Sequence, residues 1–223
     1  MPTPRKGYFL ADGSKVPGTT TVLGRFKDSG ALLRWAWKRG RDFPNEDLYA
    51  SRDEAGTIGT AAHAMVEAKI RGRDPYAVAE LAELVGDEAR AKARNAFDMY
   101  EAWASMSKLE IVDQEMQLVS EVYQFGGTPD AIGRIGGELC LVDWKTSNGV
   151  FSDYLLQLAA YRLLWEENYP DRPLTGGFHL CRFSKEYGDF AHHFYRELDD
   201  ARNMFIHLVA AYKFDAGLKR RAA

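Results

Sequence analysis

The sequence has 223 residues, of which 46% are hydrophobic and 27% charged, and its formal net charge is −3. This length and composition suit one globular domain with a sizeable core. No apolar run approaches membrane-spanning length, and residues 1–7 lack the apolar stretch of a signal peptide, which excludes a membrane-embedded protein. We therefore expect a soluble, cytoplasmic protein that fills residues 1–223 as a single domain and has no membrane partner.

The first half of the chain is predicted to be mainly helical. Tyr8-Phe9-Leu10 before Asp12-Gly13 indicates a short strand and turn, and the threonines at 19–21 can cap a short helix. We expect residues 1–107 to form a helical part that carries His63. Amphipathic spacing and breaker residues place its longer helices at 29–39, 58–70, 75–85 and 87–107.

After residue 107 the pattern changes to an alternation of apolar and polar residues. That period predicts three consecutive strands, followed by a helix that Tyr169-Pro170 ends. The order α-β-β-β-α-β indicates a mixed α/β fold, with a mixed sheet core in residues 108–223 flanked by helices. The predicted strands span 110–120, 123–135, 138–145, 177–183 and 190–196, and the predicted helices span 152–167 and 198–212.

A Gly136-Gly137 pair between two apolar-rich runs signals a tight hairpin turn. In an antiparallel pair about this turn, positions whose numbers sum to 273 lie opposite each other, so Asp130 faces Asp143. Asp143 and Lys145 point to one face because side chains alternate along a strand. Two carboxylates and an ammonium meeting beside a turn are costly unless a divalent cation lies between the acids.

Three more residues have a spacing that suits a functional site. His63 lies on a predicted helix, and Gln157 and Tyr161 share a helix face because they are four residues apart. Each feature taken alone is common by chance: a single helical histidine is usually not a ligand, and Asp-x-Lys on a strand is usually a solvated ion pair. What gives them weight is that they occur together in the order of a known family.

In their order along the chain, these residues resemble the motifs of the PD-(D/E)XK nuclease superfamily. Pro129-Asp130 followed by Asp143-Trp144-Lys145 is similar to the motif that names it. Residues 59–63 resemble the GxxxH motif of its RecB-like branch, and residues 157–161 resemble the QxxxY motif. Residues 16–24 and 33–36 are similar to phage exonucleases and to the mitochondrial genome maintenance exonuclease, so the resemblance runs from about residue 16 to about residue 161.

The resemblance implies one or two bound Mg²⁺ or Mn²⁺ ions, which prefer oxygen ligands. The ligands would be the carboxylates of Asp130 and Asp143, the backbone carbonyl of Trp144 and the imidazole of His63. An imidazole ligand favours Mn²⁺, and its binding would fail near pH 6.5, where an unperturbed ring protonates.

The same resemblance assigns catalytic roles to five residues. Lys145 would orient the attacking water or offset charge on the transition state. Gln157 and Tyr161 would line the DNA path beside the metal, and Asp130 and Asp143 complete the set. Several RecB-like nucleases also carry an iron–sulfur cluster held by four cysteines.

Two cysteines cannot supply four ligands, so we predict no iron–sulfur cluster. Cys140 and Cys181 both lie in apolar, strand-like runs. Two buried thiols are therefore favoured over a disulfide.

The N-terminal segment is basic although the whole chain is acidic. Residues 1–41 contain nine Lys or Arg and two Asp, a local charge of +7. A basic face of this kind can bind phosphates, with Arg34, Trp35 and Lys38 as its candidate DNA contacts and Trp35 as a residue that could stack on a base. For any one of these residues a solvated helix surface is an equally good interpretation.

These inferences favour a metal-dependent DNA exonuclease that hydrolyses linear DNA, with single strands slightly preferred, in recombination, repair or replication in a phage or bacterium. One alternative is a structure-specific or sequence-specific endonuclease of the same fold, which would cut closed circular DNA. A second is a non-cleaving DNA-binding or recombination accessory protein. A single-strand annealing or recombination protein would be a further partner, and no motif identifies one.

Overall fold

The computed structural model describes residues 7–27, 30–45, 48–147, 149–183 and 190–222. Its helices are α1 (Thr19–Phe26), α2 (Gly30–Asp42), α3 (Leu48–Ile70), α4 (Ala79–Ala82), α5 (Asp87–Ser107), α6 (Ser152–Asn168) and α7 (Asp199–Ala222), with a 3₁₀ turn at Pro75–Ala77. Its strands are β1 (Tyr8–Phe9), β2 (Lys15–Val16), β3 (Glu110–Gln114), β4 (Leu118–Ser120), β5 (Phe125–Gly127), β6 (Ala131–Ile135), β7 (Glu138–Thr146), β8 (Phe178–Phe183) and β9 (Phe190–Tyr195).

A five-stranded mixed sheet in the order β3-β6-β7-β8-β9 forms the centre of the structure. Strands β7 and β8 are parallel and are joined through α6, while the other neighbouring pairs are antiparallel. The predicted α-β-β-β-α-β order and the mixed α/β fold class are therefore confirmed. Two small antiparallel pairs, β1 with β2 and β4 with β5, lie outside this sheet.

Helices cover both faces of the sheet, and each face has its own apolar core. Val142 and Trp144 belong to the core shared with α3 and α5, whereas Leu141 belongs to the core shared with α1, α6 and α7. Because side chains alternate along β7, Asp143 and Lys145 point to the α6 face. Strand β7 thus presents Asp143 and Lys145 beside α6.

The predicted hairpin has the expected register. Strand β6 pairs with β7 so that Ala131 lies opposite Val142 and Ile135 opposite Glu138. The two turn glycines, Gly136 and Gly137, have φ values of 60° and 88°. That left-handed backbone is the one a two-residue hairpin turn requires and the one glycine adopts without strain.

Two predicted strands were too long. The prediction of one strand at 110–120 is wrong because Glu115 has a φ of 50°, which ends β3, and β4 starts only at Leu118. The strand predicted at 123–135 is likewise divided into β5 and β6, with Gln124 at a φ of 57° before β5. Both corrections concern residue types that give little sequence signal for the left-handed region.

The helix boundaries also differ from the predicted ones. Helix α3 begins at Leu48 instead of near residue 58, and α7 continues to Ala222 instead of ending near 212. The segment predicted as one helix at 75–85 is a 3₁₀ turn followed by the four residues of α4. Trp37 on α2 is 65% exposed.

Both cysteines are buried free thiols, as predicted. Cys140 belongs to β7 and Cys181 to β8, on the sheet face that packs against α3 and α5. Within the described ranges, none of the helices combines the length and apolarity that a bilayer-spanning segment needs.

Candidate active site

The two predicted acidic residues meet at the end of the hairpin distant from its turn. Asp130 lies directly before β6 and Asp143 lies within β7, and their exposed fractions are only 1% and 0%. The Oδ2 atom of Asp130 accepts a hydrogen bond of 3.0 Å from the backbone N–H of Trp144. This bond ties the first carboxylate to the strand that carries the second, as the predicted register requires.

The remaining carboxylate atoms are poorly satisfied. Among the described residues, Oδ1 of Asp130 and Oδ1 of Asp143 are buried without a hydrogen-bond partner. A buried acceptor of this kind costs about 1–3 kcal/mol, and more when it is charged. The fold therefore holds two acids where they destabilise the protein, an arrangement that suits a bound cation.

Lys145 contacts the Oδ2 atom of Asp143 on the same face of β7. Burial raises the pKa of Asp143 to about 7, opposed by the Lys145 ammonium and reinforced by Asp130. Burial alone would lower the pKa of Lys145, but the two neighbouring carboxylates outweigh it and leave that pKa raised. Lys145 is therefore an ammonium at neutral pH, with its charge directed at the acids.

His63 reaches the site from α3, on the other side of β7. Its Nε2 atom lies 3.0 Å from the backbone carbonyl oxygen of Trp144, to which an N–H at this position donates. Burial, followed by the nearby Lys145 ammonium, lowers the pKa of His63 to about 4. The imidazole is consequently neutral well below pH 6.5, so the expected protonation limit at that pH does not apply to this ring.

Gln157 and Tyr161 lie beneath the acids on α6. Both side chains are buried, and the Gln157 Nε2–H donates a 2.7 Å hydrogen bond to the Tyr161 hydroxyl. Burial, with the charges of Asp130 and Asp143, raises the pKa of Tyr161 well above its ordinary value. The pair is therefore near enough to the acids for their charges to affect Tyr161, and its predicted role as a lining of the DNA path stays a prediction.

The residues present fit a hard divalent cation. Two unpartnered carboxylate oxygens, a backbone carbonyl and a neutral imidazole are a donor set that Mg²⁺ and Mn²⁺ accept. The 3.0 Å between His63 Nε2 and the Trp144 oxygen equals the spacing of neighbouring ligands on an octahedral ion with bonds of about 2.1 Å. No group of three His, Cys, Asp or Glu side chains is already gathered as a cage in the described part of the chain.

One acidic residue near the site was not singled out from the sequence. Burial, with the charges of Asp130 and then Glu67, raises the pKa of Glu115 to about 7. The Glu115 backbone N–H also donates to the carbonyl of Asp130 at 3.1 Å. Glu121, which precedes β5, accepts a 2.7 Å hydrogen bond from the Ala11 N–H.

The N-terminal strand also contacts the segment that precedes the first acid. The Tyr8 hydroxyl lies 3.1 Å from Thr128 Oγ1, and the Tyr8 ring covers Gly126, where an added Cβ would lie 2.2 Å from it. Thr19 on α1 donates a hydrogen bond of 3.0 Å to the Gly126 carbonyl. Only a structure could reveal these contacts, since more than 100 residues separate the partners.

The predicted DNA-binding residues on α2 are only partly described. Arg34 and Lys38 are exposed, whereas the side chain of Trp35 lies outside the described residues. The exposed aromatic residue on this helix is Trp37, with the guanidinium of Arg41 at 4.9 Å from its ring. The basic surface of α2 therefore exists, and its function stays a prediction.

Comparison with solved structures finds, among others, two proteins of low sequence identity to this chain. A candidate exonuclease from Eubacterium rectale is 12% identical with a TM-score of 0.48, and the alignment covers 68% of this chain and 63% of that one. The protein SSO0001 is 14% identical with a TM-score of 0.37, over 82% of this chain and 85% of that one.

The chain thus spans about 63% of the length of the Eubacterium rectale protein. Comparison with curated proteins gives no match. A model of the PD-(D/E)XK nuclease superfamily matches residues 31–216, which include every ligand and catalytic residue named above. The chain therefore belongs to the PD-(D/E)XK nuclease superfamily.

Proposed function

We propose that this protein is a metal-dependent deoxyribonuclease of the RecB-like branch that digests linear DNA from its ends. The observation that carries the proposal is the buried pair Asp130 and Asp143, each with an unpartnered oxygen, next to the Lys145 ammonium. Membership of the nuclease superfamily supports phosphodiester hydrolysis as the reaction. His63 from α3 and the Gln157–Tyr161 pair from α6 support the RecB-like branch, because both motifs converge on these acids.

We assign different roles to the residues of the candidate site. Asp130, Asp143, the Trp144 carbonyl and His63 would hold Mg²⁺ or Mn²⁺, which when bound neutralises phosphate charge and acidifies a coordinated water. Lys145 lies beside Asp143 as an ammonium, so it can orient the attacking water and offset the charge that develops on the phosphoryl oxygens. The buried Gln157–Tyr161 hydrogen bond holds these two side chains in place on α6, near the carboxylates.

The buried position of the site limits how a strand can approach it. Both acids are almost fully enclosed, and α3 and α6 lie on opposite faces of the sheet that carries them. A free end can enter such a site more easily than the interior of a duplex. We therefore propose exonuclease action, with the biological role in DNA recombination, repair or replication.

The test is hydrolysis of DNA in Mg²⁺ or Mn²⁺, with linear and covalently closed circular molecules of the same sequence. We expect linear DNA to be degraded and closed circles to remain intact. Lys145→Ala and Asp130→Asn should each reduce the rate by at least about 100-fold, the effect expected when a group that stabilises transition-state charge is removed. Lys69→Ala is a matched control, because Lys69 also pairs with an acid, Glu101 at 2.9 Å, but on the exposed surface.

Three outcomes would change the assignment. Cleavage of closed circles at a rate similar to that of linear DNA would favour an endonuclease. Binding of DNA without turnover in any divalent cation would favour an accessory protein. Full activity in both Lys145→Ala and Asp130→Asn would remove the nuclease assignment from this site.

A further inference from the structure

Phe151 is a large apolar residue held at the mouth of the candidate active site. It lies in the connection between β7 and α6, six residues after Lys145, and 55% of it is exposed. Its backbone carbonyl accepts a 3.0 Å hydrogen bond from the Tyr154 N–H as α6 begins. The ring therefore faces solvent from a backbone position that the start of the helix fixes.

The connection is also anchored on the side of the sheet. The Ser147 N–H donates to the Phe183 carbonyl at 2.9 Å, and its hydroxyl donates to the Gly149 carbonyl at 2.8 Å. Arg182, the neighbour of Lys145 across the parallel pair β7–β8, donates to the Ser147 carbonyl at 3.2 Å. An exposed aromatic ring on a backbone held in this way is already positioned for a ligand, so binding orders little additional structure.

A second ring connects Phe151 to the reacting groups. The Lys145 Nζ atom lies 5.5 Å from the centroid of the Tyr154 ring, within the range of a cation–π contact. The Phe151 ring meets Tyr154 edge to face, with 5.5 Å between centroids and an interplanar angle of 81°. These two contacts place the Phe151 ring no more than about 11 Å from the catalytic ammonium, a reach of about three base steps at 3.4 Å per step.

The chemistry of this surface matches an unpaired nucleobase. Single exposed apolar residues are common and need no explanation by themselves. Here the exposed ring contacts Tyr154, which in turn contacts the Lys145 ammonium of the candidate site, and the cationic Arg182 donates to the Ser147 carbonyl in the same connection. Bases stack on aromatic side chains while basic groups follow the phosphates, which is how single strands are bound.

We propose that Phe151 is a stacking platform for one unpaired base of the substrate strand, within three nucleotides of the scissile phosphate. Tyr154 holds the Phe151 ring on one side and the Lys145 ammonium on the other. The inference rests on the proposed nuclease function and deepens it. In a duplex both faces of an internal base are covered by neighbouring bases, so a base can stack on Phe151 only in a single strand or at an end.

The first experiment compares Phe151→Ala and Phe151→Trp with the wild type on a short single-stranded oligonucleotide. Loss of a base–aromatic stack lowers affinity by about 5- to 150-fold, so Phe151→Ala should raise KM by that factor while kcat changes little. Phe151→Trp should retain the wild-type KM. Tyr76→Ala is the matched control: Tyr76 is 47% exposed and meets Phe97 edge to face at 5.7 Å, in the part of the chain between α3 and α5.

The second experiment moves a single abasic nucleotide along the oligonucleotide. At one position the missing base should weaken wild-type binding, and there Phe151→Ala should cause no further loss, because the same stack is already absent. Equal KM values for wild type and Phe151→Ala would overturn the inference, and so would a loss that is the same on every abasic substrate. A KM change in the Tyr76→Ala control as large as that of Phe151→Ala would also overturn it.

Affinities of the same oligonucleotides, measured by fluorescence anisotropy in Ca²⁺, separate this inference from the proposed function. If the wild type binds the oligonucleotides in Ca²⁺ but does not cut them in Mg²⁺ or Mn²⁺, the nuclease proposal fails. The binding affinities of the abasic series then still decide the role of Phe151. If the wild type cuts and Phe151→Ala binds and cuts equally well, the stacking platform is wrong and the nuclease proposal stands.

Discussion

Individual residues in the candidate site lower the free energy of unfolding of the protein. The unpartnered oxygens of Asp130 and Asp143 lie in a buried position where apolar side chains would be more favourable. The Lys145 ammonium offsets part of the charge of one acid but leaves the site with one more carboxylate than ammonium. Residues that reduce stability in this way are typical of functional positions, where activity requires charged groups that the folded state alone would not favour.

Substitution of Asp130 should separate stability from function. In Asp130→Asn the side-chain oxygen can still accept from the Trp144 N–H, while the charge next to Asp143 disappears. We expect the metal-free variant to be at least as stable as the wild type, with a gain of up to about 1 kcal/mol, and to lose the increase in unfolding temperature that Mn²⁺ gives the wild type. Thermal unfolding in EDTA and in Mn²⁺ measures both effects.

Asp215→Asn is the control for that prediction, because Asp215 pairs with Arg25 at 2.7 Å on α7, outside the sheet that carries the two site carboxylates. This variant should show the same Mn²⁺-dependent increase in unfolding temperature as the wild type. A shift of wild-type size in Asp130→Asn would show that the cation binds elsewhere.

The pH dependence of metal binding should reflect protonation of Asp143 and not protonation of His63. The pKa of Asp143 is about 7 and that of His63 about 4. Because a cation competes with the proton on Asp143, we expect Mn²⁺ affinity to rise by about fivefold from pH 6 to pH 7 and to level off above the pKa of Asp143. Isothermal titration at a series of pH values measures the slope, and an affinity that is constant from pH 6 to 8 would contradict it.

At the scale of single elements, patterning predicted the β6–β7 hairpin in full. Two glycines fix the turn, and the apolar alternation then determines the register that brings Asp130 opposite Asp143. The breaks at Glu115 and Gln124 were missed because the left-handed backbone there is imposed by contacts that are distant in sequence.

Close packing should make Gly127 in β5 intolerant of a side chain. A Cβ at this position would lie 2.7 Å from Thr19 Oγ1 and 2.8 Å from side-chain atoms of Leu164 and Tyr161. We expect Gly127→Ala to destabilise the protein by about 1–3 kcal/mol and to reduce activity, because Asp130 follows three residues later. Urea unfolding measures the loss, with Gly24→Ala as a control at a helix position with open space around it. Unchanged stability in Gly127→Ala would contradict the close approach of α1 and α6 to β5.

A histidine pair on β8 and β9 should add an acid-sensitive component to stability. His179 Nδ1 lies 2.8 Å from His192 Nε2, and burial, followed by the charge of His192, lowers the pKa of His179 to about 4. The unfolded chain therefore binds a proton near pH 6.5 that the folded chain does not bind until about pH 4. The contribution of His179 is present above pH 6.5 and is lost as the pH falls from 6.5 towards 4.

The pair His179→Gln and His207→Gln tests this prediction, because His207 is an exposed histidine on α7. Urea unfolding at pH 7 and at pH 4.5 gives the pH dependence of the free energy of unfolding. His179→Gln should reduce that dependence by about 1–3 kcal/mol, whereas His207→Gln should leave it close to that of the wild type. Identical pH dependence in both variants would show that His179 does not resist protonation in the folded state.

At the scale of the whole molecule, the sheet brings together groups from both of its helical layers. His63 comes from α3 on one face, and Gln157 and Tyr161 come from α6 on the other, while β7 supplies Asp143 and Lys145 between them. The Trp144 carbonyl lies at the point where these layers meet. A site assembled in this way requires the complete fold, because neither helical layer holds all of its residues.

The order of elements was predictable because local periodicity determines it. The convergence of His63, Gln157 and Tyr161 on the two acids was expected only from the resemblance to the nuclease family. The contacts of Tyr8 and Thr19 with the strand before Asp130 were not, since they depend on how the N-terminal segment folds back over β5. The low pKa of His63 could not be predicted from the sequence either, because it results from burial and from the nearby Lys145 charge.

A crystal grown with Mn²⁺ and recorded at the manganese absorption edge gives the most direct test of the central claim. We expect an anomalous peak within about 2.1–2.3 Å of one oxygen from each of Asp130 and Asp143, with the Trp144 carbonyl and His63 Nε2 completing the ligands. An anomalous map with no peak between the two carboxylates, or with its only protein-bound peak elsewhere on the chain, would contradict the account.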